Sequence, residues 1–265
     1  MFWSADLNRI RGALAALTMI GLAACTASPL ESFTNPVAQP MPVEAPAAQT
    51  AAVPAAAIAA PAERSGDLKI TDLYRQTIGG VFTVRTPQRT GTAFAISPTL
   101  LLTNRHVVED ATRVDITKGG QLVQAATVEK VFGGTMDLAV LRLPQPVAAV
   151  LPLARDMPPV GEEILIIGSP RGLEGSLTRG LVSQHRTVEN IGLLQIDAAV
   201  NPGNSGSPVF DRAGHVIGIV FLGGDKAMGV AGINFAISAD AIRAALASDQ
   251  RLASETATGR IVAAR

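Results

Sequence analysis

The sequence predicts an all-β domain, and three observations support this class. Short apolar or alternating segments recur along the chain from about residue 67. Gly, Pro, Asn and Asp residues separate these segments, as turns between strands require. Long amphipathic helices do not alternate with them, which argues against a doubly wound α/β fold. Many short strands joined by turns are typical of a β-barrel or a β-sandwich.

The segments expected to form strands are rich in Val, Ile, Leu, Thr and Phe, which suit a pleated and buried surface. We predict strands at 81–85, 91–97, 99–103, 114–117, 138–143, 164–167, 193–197, 216–221 and 233–237. One short helix is expected near the end of the chain. Ser238 is placed to cap it, and Ile242, Ala245 and Leu246 fall on one face at helical spacing.

The composition limits both the partners and the core. The 265 residues carry 22 basic and 22 acidic side chains, and the sequence pI is about 6.8. This balance gives no argument for nucleic acid as a partner. With one Tyr and one Trp, the core must consist mainly of Val, Ile, Leu, Ala and a few Phe. The single cysteine, Cys25, cannot form an internal disulfide.

The first 25 residues have the pattern of an export signal. Arg9 and Arg11 precede an apolar run at 12–24, which is shorter than the roughly 20 residues of a membrane-spanning helix. The segment LAAC that ends at Cys25 resembles the lipobox of bacterial lipoproteins. The resemblance implies cleavage before Cys25, so that 1–24 is a lipoprotein signal peptide. An ordinary signal peptide with a chance cysteine and an uncleaved anchor remain as alternatives.

Lipid chains on Cys25 would hold the protein on a membrane of the bacterial cell envelope, facing the periplasm. By the same resemblance, Thr26 after the cysteine favours the outer membrane. Residues 25–66 are rich in Ala and Pro, which predicts a disordered tether between membrane and domain. Residues 67–248 then form the folded domain, and 249–265 form a C-terminal tail.

One loop carries a candidate nucleophile. The segment NPGNSGSP at 201–208 places Ser205 between Gly203 and Gly206, whose backbone freedom allows two N–H groups to converge on one point. We therefore expect an oxyanion hole formed by the amides of Gly203 and Ser205. A plain Gly/Pro/Asn turn is the alternative interpretation of this loop alone.

A serine nucleophile needs a base and an acid that orients the base. His106 follows an apolar strand and precedes an apolar pair, so we expect it at a strand end facing a cleft. The other two histidines, His185 and His215, lie among polar residues and suit a solvated surface. Asp137 opens a buried strand, where it is the candidate acid, although it could also cap a turn. The chain order His, Asp, Ser is one of the known orders for such a triad.

Three motifs resemble the catalytic motifs of the HtrA/Deg family of bacterial envelope serine proteases. They are TNRHVV at 103–108, DLAVL at 137–141 and NPGNSG at 201–206, and the resemblance runs from about residue 67 to 248. It implies a trypsin-like double β-barrel with an active site in the cleft between the barrels. His106 and Asp137 would lie in the first barrel and Ser205 in the second.

The chain departs from the family pattern at several points. Few residues follow the predicted final helix, so a PDZ domain of the kind that HtrA proteins carry is not expected in this chain. Ser207 replaces a glycine that the family usually has, and we expect the site to tolerate it. Asn204 is neutral, so activation by an ion pair with a freed N-terminus is not expected.

The resemblance to the family also implies which residues form the specificity pocket, because their spacing from Ser205 can be carried over. The resemblance places Ala199 at the floor of the specificity pocket and Val220, Phe221 and Leu222 along the substrate-binding edge. Because no acidic residue stands at that floor, we expect a small or medium apolar side chain before the cleaved bond rather than Lys or Arg.

The sequence thus predicts a serine endopeptidase that cleaves unfolded or exposed envelope proteins through an acyl-enzyme intermediate. The alternatives are a weakly active or inactive protease-fold lipoprotein that acts as a binding or scaffold protein, and a lipoprotein with a structural role. No cofactor or metal is predicted, because the sequence has no His-Glu-x-x-His motif and its three histidines are scattered. The oligomeric state is left open.

Overall fold

The protein folds into two closed antiparallel β-barrels of six strands each, with a short helix near the C-terminus. The computed structural model describes residues 69–134, 136–222, 232–249, 251–254 and 256. The predicted all-β class and the double β-barrel are confirmed. The predicted signal peptide and tether lie outside the described residues, as do parts of the predicted tail.

The first barrel follows a helix, α1 (Ile70–Thr77), and a single 3₁₀ turn. Its strands are β1 (Val81–Arg85), β2 (Thr90–Ser97), β3 (Leu100–Thr103), β4 (Arg113–Lys118), β5 (Gln121–Val131) and β6 (Ala139–Arg142). Their order around the barrel is β1-β2-β3-β6-β5-β4, and pairing between β1 and β4 closes it. A helix of one turn, α2 (Arg105–Val108), follows β3.

The second barrel repeats this plan. Its strands are β7 (Glu163–Gly168), β8 (Ser176–Val188), β9 (Ile191–Ile196), β10 (Pro208–Phe210), β11 (Val216–Leu222) and β12 (Asn234–Ser238). Their order is β10-β11-β12-β9-β8-β7, and pairing between β10 and β7 closes the barrel. Helix α3 (Ala239–Ala247) follows, and the Ser238 hydroxyl accepts a hydrogen bond from the Ala241 N–H, which confirms the predicted cap.

Strands in the middle of the molecule are buried on both faces. On β3, Leu101 packs into the interior of the first barrel, whereas Leu100 and Leu102 join a cluster shared with the second barrel. Successive side chains of a strand point to opposite faces, so a strand with two covered faces is apolar throughout. On β7, Leu165 and Ile167 join the same shared cluster. This shared cluster fixes the two barrels side by side.

A short helical segment at 251–254 follows α3 and contacts the first barrel. Leu252 is 1% exposed and joins the shared cluster, while the Arg251 guanidinium pairs with the Glu129 carboxylate at 2.6 Å. Asp249 pairs with Lys130, which follows Glu129 on β5. The start of the predicted C-terminal tail is therefore packed against the domain. No helix in the described part of the chain has the length and hydropathy to cross a membrane.

We expect Leu252→Ala to lower the free energy of unfolding by about 2–4 kcal/mol, because it removes a buried side chain that links the C-terminal segment to the shared cluster. Urea denaturation of the purified domain measures the change. The control is Leu122→Ala, because Leu122 is 63% exposed and its truncation leaves no cavity. Equal stability of the two variants would show that the segment after α3 adds nothing to the fold.

Candidate active site

His106 and Asp137 meet at the end of the first barrel. His106 lies on α2, directly after β3, and Asp137 lies two residues before β6, the strand that pairs with β3. The His106 Nδ1 is 2.6 Å from the Asp137 Oδ2, and the His106 backbone N–H donates to the Asp137 Oδ1 at 3.0 Å. The carboxylate thus binds both the ring and the backbone of one residue. This arrangement fixes the orientation of the imidazole.

The aspartate is itself held by a buried amide. The Asn104 side chain is fully buried, and its Nδ2 donates to the Asp137 carbonyl at 2.8 Å. The Asp137 side chain is 5% exposed and that of His106 is 18% exposed. A carboxylate shielded from water in this way interacts more strongly with a positive imidazolium than an exposed one does.

The loop around Ser205 requires glycine at two positions. Gly203 has φ 100° and Gly206 has φ 86°, a region that glycine adopts without strain. A Cβ at position 206 would lie 1.9 Å from the Thr92 carbonyl oxygen, and one at 203 would lie 2.2 Å from the Ser169 carbonyl oxygen. The plain-turn interpretation does not account for so close an approach to two other backbone segments.

The serine loop of the second barrel lies against the first barrel beside His106. The Thr92 backbone N–H on β2 donates to the Ser205 carbonyl at 2.8 Å. A Cβ at Gly91, the preceding residue, would meet both the Ser205 carbonyl oxygen and the side chain of Val107, the neighbour of His106. The structure therefore brings Ser205, His106 and Asp137 to one region between the barrels.

The peptide between Pro202 and Gly203 has a defined orientation. The Pro202 carbonyl accepts a hydrogen bond of 2.7 Å from the Arg171 N–H, in the turn that follows β7. In a trans peptide the N–H and the carbonyl point in opposite directions, so the Gly203 N–H points away from that turn. The Ser207 N–H donates to the Asn204 carbonyl, and the Gly206 N–H donates to the Val220 carbonyl, each at 2.9 Å.

Ser207 and Asn204 fit beside a glycine of β7. Both side chains are buried, and a Cβ at Gly168 would lie 2.1 Å from the Ser207 Oγ and 2.7 Å from the Asn204 Oδ1. Because position 168 has no side chain, there is room for the Ser207 hydroxymethyl group.

The turn after β7 is also attached to the first barrel through Glu174. The Glu174 carboxylate accepts from the Thr117 hydroxyl at 2.8 Å and from the Gly120 N–H at 3.0 Å. Burial alone would raise the pKa of Glu174. The bonds from Gly120, Thr117 and Thr83 and the charge of Arg85 outweigh burial and lower this pKa below its ordinary value. Glu174 is therefore ionised at neutral pH.

Further contacts surround this turn. The Tyr74 hydroxyl on α1 donates to the Gly175 carbonyl at 2.9 Å. The Lys118 ammonium donates to the carbonyls of Ile78 and Gly79, at 3.0 and 2.7 Å. Burial lowers the pKa of Lys118, and the nearby negative charge of Glu174 partly offsets this effect.

The residues of the expected specificity pocket lie on the second barrel. Ala199 is exposed in the loop after β9, and Phe221 is partly buried near the end of β11. Val220 is buried, and its N–H and carbonyl both bond to the serine loop, through Ser207 and Gly206. Asn234 is a residue to which sequence reasoning assigned no role. Its buried amide donates to the Ala198 carbonyl at 2.7 Å, and this bond holds the loop after β9 next to Ala199.

Comparison with known proteins shows which proteins this domain resembles. Residues 91–219 match the trypsin-like peptidase domain. The described domain is therefore similar to trypsin-like peptidases, and the proteins that it resembles include DegP-like and HtrA-type serine endoproteases, as the sequence motifs predicted. One is a probable periplasmic serine endoprotease, DegP-like, of Hahella chejuensis, which is 34% identical over 183 residues. Another with the same description, from Pseudomonas savastanoi, is 36% identical over 168 residues.

These alignments cover part of each protein. They span 65% and 59% of this chain, but only 38% and 34% of the two relatives. Among solved structures, the HtrA-type protease AlgW with a tripeptide is 28% identical, with a TM-score of 0.62 over 70% of this chain and 64% of that one. The serine endoprotease of Yersinia pestis is also 28% identical, with a TM-score of 0.59 over 71% of this chain and 68% of that one.

We expect Gly206→Ala to destabilise the protein, because the new methyl group would meet the Thr92 carbonyl in a backbone conformation that alanine adopts with strain. The conformational strain alone costs about 1–3 kcal/mol, and the clash adds to it. Chemical denaturation measures the loss. The control is Gly161→Ala, at a φ of 90° with no atom within 4 Å of the new Cβ. An equal loss in both variants would contradict the close contact between the serine loop and β2.

Proposed function

We propose that this chain is a serine endopeptidase in which Ser205 is the nucleophile, His106 the general base and Asp137 the group that orients it. The observation that carries the proposal is the bond of 2.6 Å between His106 Nδ1 and Asp137 Oδ2, at the place where the serine loop meets the first barrel. The match to the peptidase domain and the descriptions of the relatives support the same activity.

The first half of the reaction forms an acyl-enzyme. The Ser205 Oγ attacks the carbonyl carbon of the substrate while the His106 Nε2 takes its proton. The Asp137 carboxylate stabilises the imidazolium that forms. The oxyanion of the tetrahedral intermediate is bound by the N–H groups of Gly203 and Ser205. The imidazolium then gives its proton to the departing amine, and the peptide bond breaks.

The second half uses water in place of the serine. His106 takes a proton from a water molecule, which attacks the ester on Ser205, and a second tetrahedral intermediate forms in the same oxyanion hole. Its collapse returns the proton to the Ser205 oxygen and releases the carboxylic acid. The buried position of Asp137 suits both halves, because the charge pair forms and disappears without large solvent reorganisation.

The substrates that we propose are unfolded or exposed proteins of the cell envelope. The relatives are described as periplasmic, which supports this location. For the specificity pocket we propose Ala199 at the floor and Phe221 and Leu222 along the edge. Val220 would support this edge from behind, because its backbone groups already bond to the serine loop. A small apolar side chain before the cleaved bond suits a floor without a charge.

The domain organisation is part of the proposal. A signal peptide at 1–24, a tether at 25–66, the protease domain at 67–248 and a tail at 249–265 would produce a lipoprotein whose protease domain faces the periplasm. A protein substrate reaches such a domain in solution or at the membrane surface.

We expect Asp137→Asn to reduce kcat by about 10⁴-fold on a peptide or casein substrate, because the amide no longer holds the imidazole in the form that accepts the serine proton. Steady-state kinetics at constant enzyme concentration measure the change. The control is Asp211→Asn, since Asp211 forms another His–Asp pair, with its Oδ2 3.3 Å from the Nδ1 of the half-exposed His215. The proposal predicts that this variant keeps its activity. Equal losses in the two variants, or an unaffected Asp137→Asn, would contradict the assigned roles.

We expect radiolabelled palmitate to enter the full chain in a bacterial host and not to enter a Cys25→Ser variant, because lipidation requires the cysteine of the lipobox. Gel fluorography of the purified protein measures incorporation. Equal incorporation in both proteins would show that the label does not reside on Cys25. Absence of label from the wild type would favour an ordinary signal peptide or an uncleaved anchor.

A further inference from the structure

Three threonines stand side by side across the first barrel. Thr83 on β1 is paired directly with Thr92 on β2 and with Thr117 on β4. Directly opposed residues of antiparallel strands point to the same face, so their hydroxyl groups form one row. We call Thr92, Thr83 and Thr117 the threonine row.

The threonine row lies on the outer face of the first barrel, yet it is buried. Phe82 and Val84, the neighbours of Thr83 on β1, pack into the barrel interior. Thr83 therefore points outward, where it is 1% exposed, and Thr92 and Thr117 are 0% and 5% exposed. The second barrel covers the row, since Ser169, Gly203 and Glu174, to which its hydroxyl groups bond, belong to that barrel.

Thr92 binds the serine loop directly. Its hydroxyl donates to the Gly203 carbonyl at 2.8 Å and accepts from the Ser169 N–H at 3.0 Å. A hydroxyl can do both at once, whereas an aliphatic side chain of the same shape can do neither. With valine at this position, the buried Gly203 carbonyl would lose its partner, which is costly where water cannot replace it.

The other two threonines hold the turn after β7. The Thr83 hydroxyl bonds to the Ser169 hydroxyl at the start of this turn. The Thr117 hydroxyl donates to the Glu174 carboxylate near its end. Between these two anchors lies Arg171, whose N–H holds the Pro202 carbonyl.

The serine loop is therefore held on both sides of Gly203, by Thr92 directly and by the turn that the other two threonines hold. The carbonyl before Gly203 is held by Arg171 and the carbonyl of Gly203 by Thr92. A glycine at φ 100° would otherwise rotate more freely than any other residue. With both flanking peptides held, the direction of the Gly203 N–H is set before any substrate arrives, which is the preorganisation that oxyanion binding needs.

We propose that Thr92 is a positioning residue for the oxyanion hole, and that Thr83, Thr117 and Glu174 support it by holding the turn that carries Arg171. This inference rests on the proposed function, because it assigns a part in the same reaction. The three threonines belong to the first barrel and act on the turn after β7 and the serine loop of the second.

The kinetic test compares Thr92→Val with Thr92→Ser. We expect Thr92→Val to lower kcat by about 10- to 100-fold with KM within about threefold, since a misplaced donor weakens the transition state more than the bound substrate. Thr92→Ser keeps the hydroxyl and should restore kcat to within about threefold of the wild type. The affinity for a peptide boronate, which forms a tetrahedral adduct with the serine, should fall in Thr92→Val by about the same factor as kcat/KM.

The control is Thr77→Val, because the Thr77 hydroxyl is also buried but bonds to the Leu73 carbonyl within α1. It should leave kcat and boronate affinity within about twofold of the wild type. An unchanged kcat in Thr92→Val, a rise in KM alone, or an equal loss in Thr77→Val would overturn the inference.

Hydrogen exchange separates this inference from the proposed function. In a Ser205→Ala background, which needs no activity, Thr92→Val should accelerate amide exchange in the segment 201–206 by at least about tenfold, and Glu174→Gln should accelerate it in 169–176 and in 201–206. Unchanged exchange at 201–206 in Thr92→Val would refute the inference even in an active enzyme. A wild type that hydrolyses nothing while these exchange changes occur would refute the proposed function and leave the structural coupling standing.

Discussion

The contact between the serine loop and strand β2 is the constraint on which the rest of the site depends. Thr92 binds the loop through its N–H to the Ser205 carbonyl and through its hydroxyl to the Gly203 carbonyl. Gly206 lies so close to the Thr92 carbonyl that no side chain fits between them. Because His106 and Asp137 belong to the first barrel and Ser205 to the second, only a fixed contact between the barrels can keep these three residues near one another.

The two barrels meet through polar and apolar groups with different roles. The shared apolar cluster, which includes Leu102 and Leu165, supplies area removed from water but little directional information. The buried hydroxyl groups fix the relative position of the two barrels, since each must form its hydrogen bond or remain as a costly unpaired group. The glycines at 168, 203 and 206 allow the backbones to approach closely enough for these bonds. Together the apolar cluster and these hydrogen bonds hold the two barrels against each other.

The sequence was sufficient for the fold class and for the candidate triad because both depend on local patterns. Strands such as β3 and β7 have runs of three or four consecutive apolar residues, and the motifs around His106 and Ser205 are contiguous in the chain. Helix α1 was not predicted, although Leu73 is fully buried, because its other positions are mostly polar. The long strands β5 and β8 were also missed, since exposed residues such as Leu122 and Leu181 break the alternation expected of a half-buried strand.

The parts of the site that sequence reasoning could not find are those made by tertiary packing. Thr83, Thr92 and Thr117 look like ordinary outward residues of three separate strands, and only the register of the barrel places them in one row. Glu174 lies in a turn that has no pattern of its own, yet its carboxylate joins the two barrels. The alternation of polar and apolar residues along a strand shows which face of the sheet a residue occupies. It does not show whether another barrel covers that face.

Covalent labelling of Ser205 tests the central claim most directly. A fluorophosphonate probe reacts with a serine whose proton is removed by a neighbouring base and whose oxyanion is stabilised. Intact-mass and peptide mass spectrometry of the purified, folded protein should show one probe per chain on the peptide that contains Ser205, and none in Ser205→Ala. No labelling of the folded wild type, or labelling at another residue, would contradict the account and favour a protein that keeps the protease fold for binding alone.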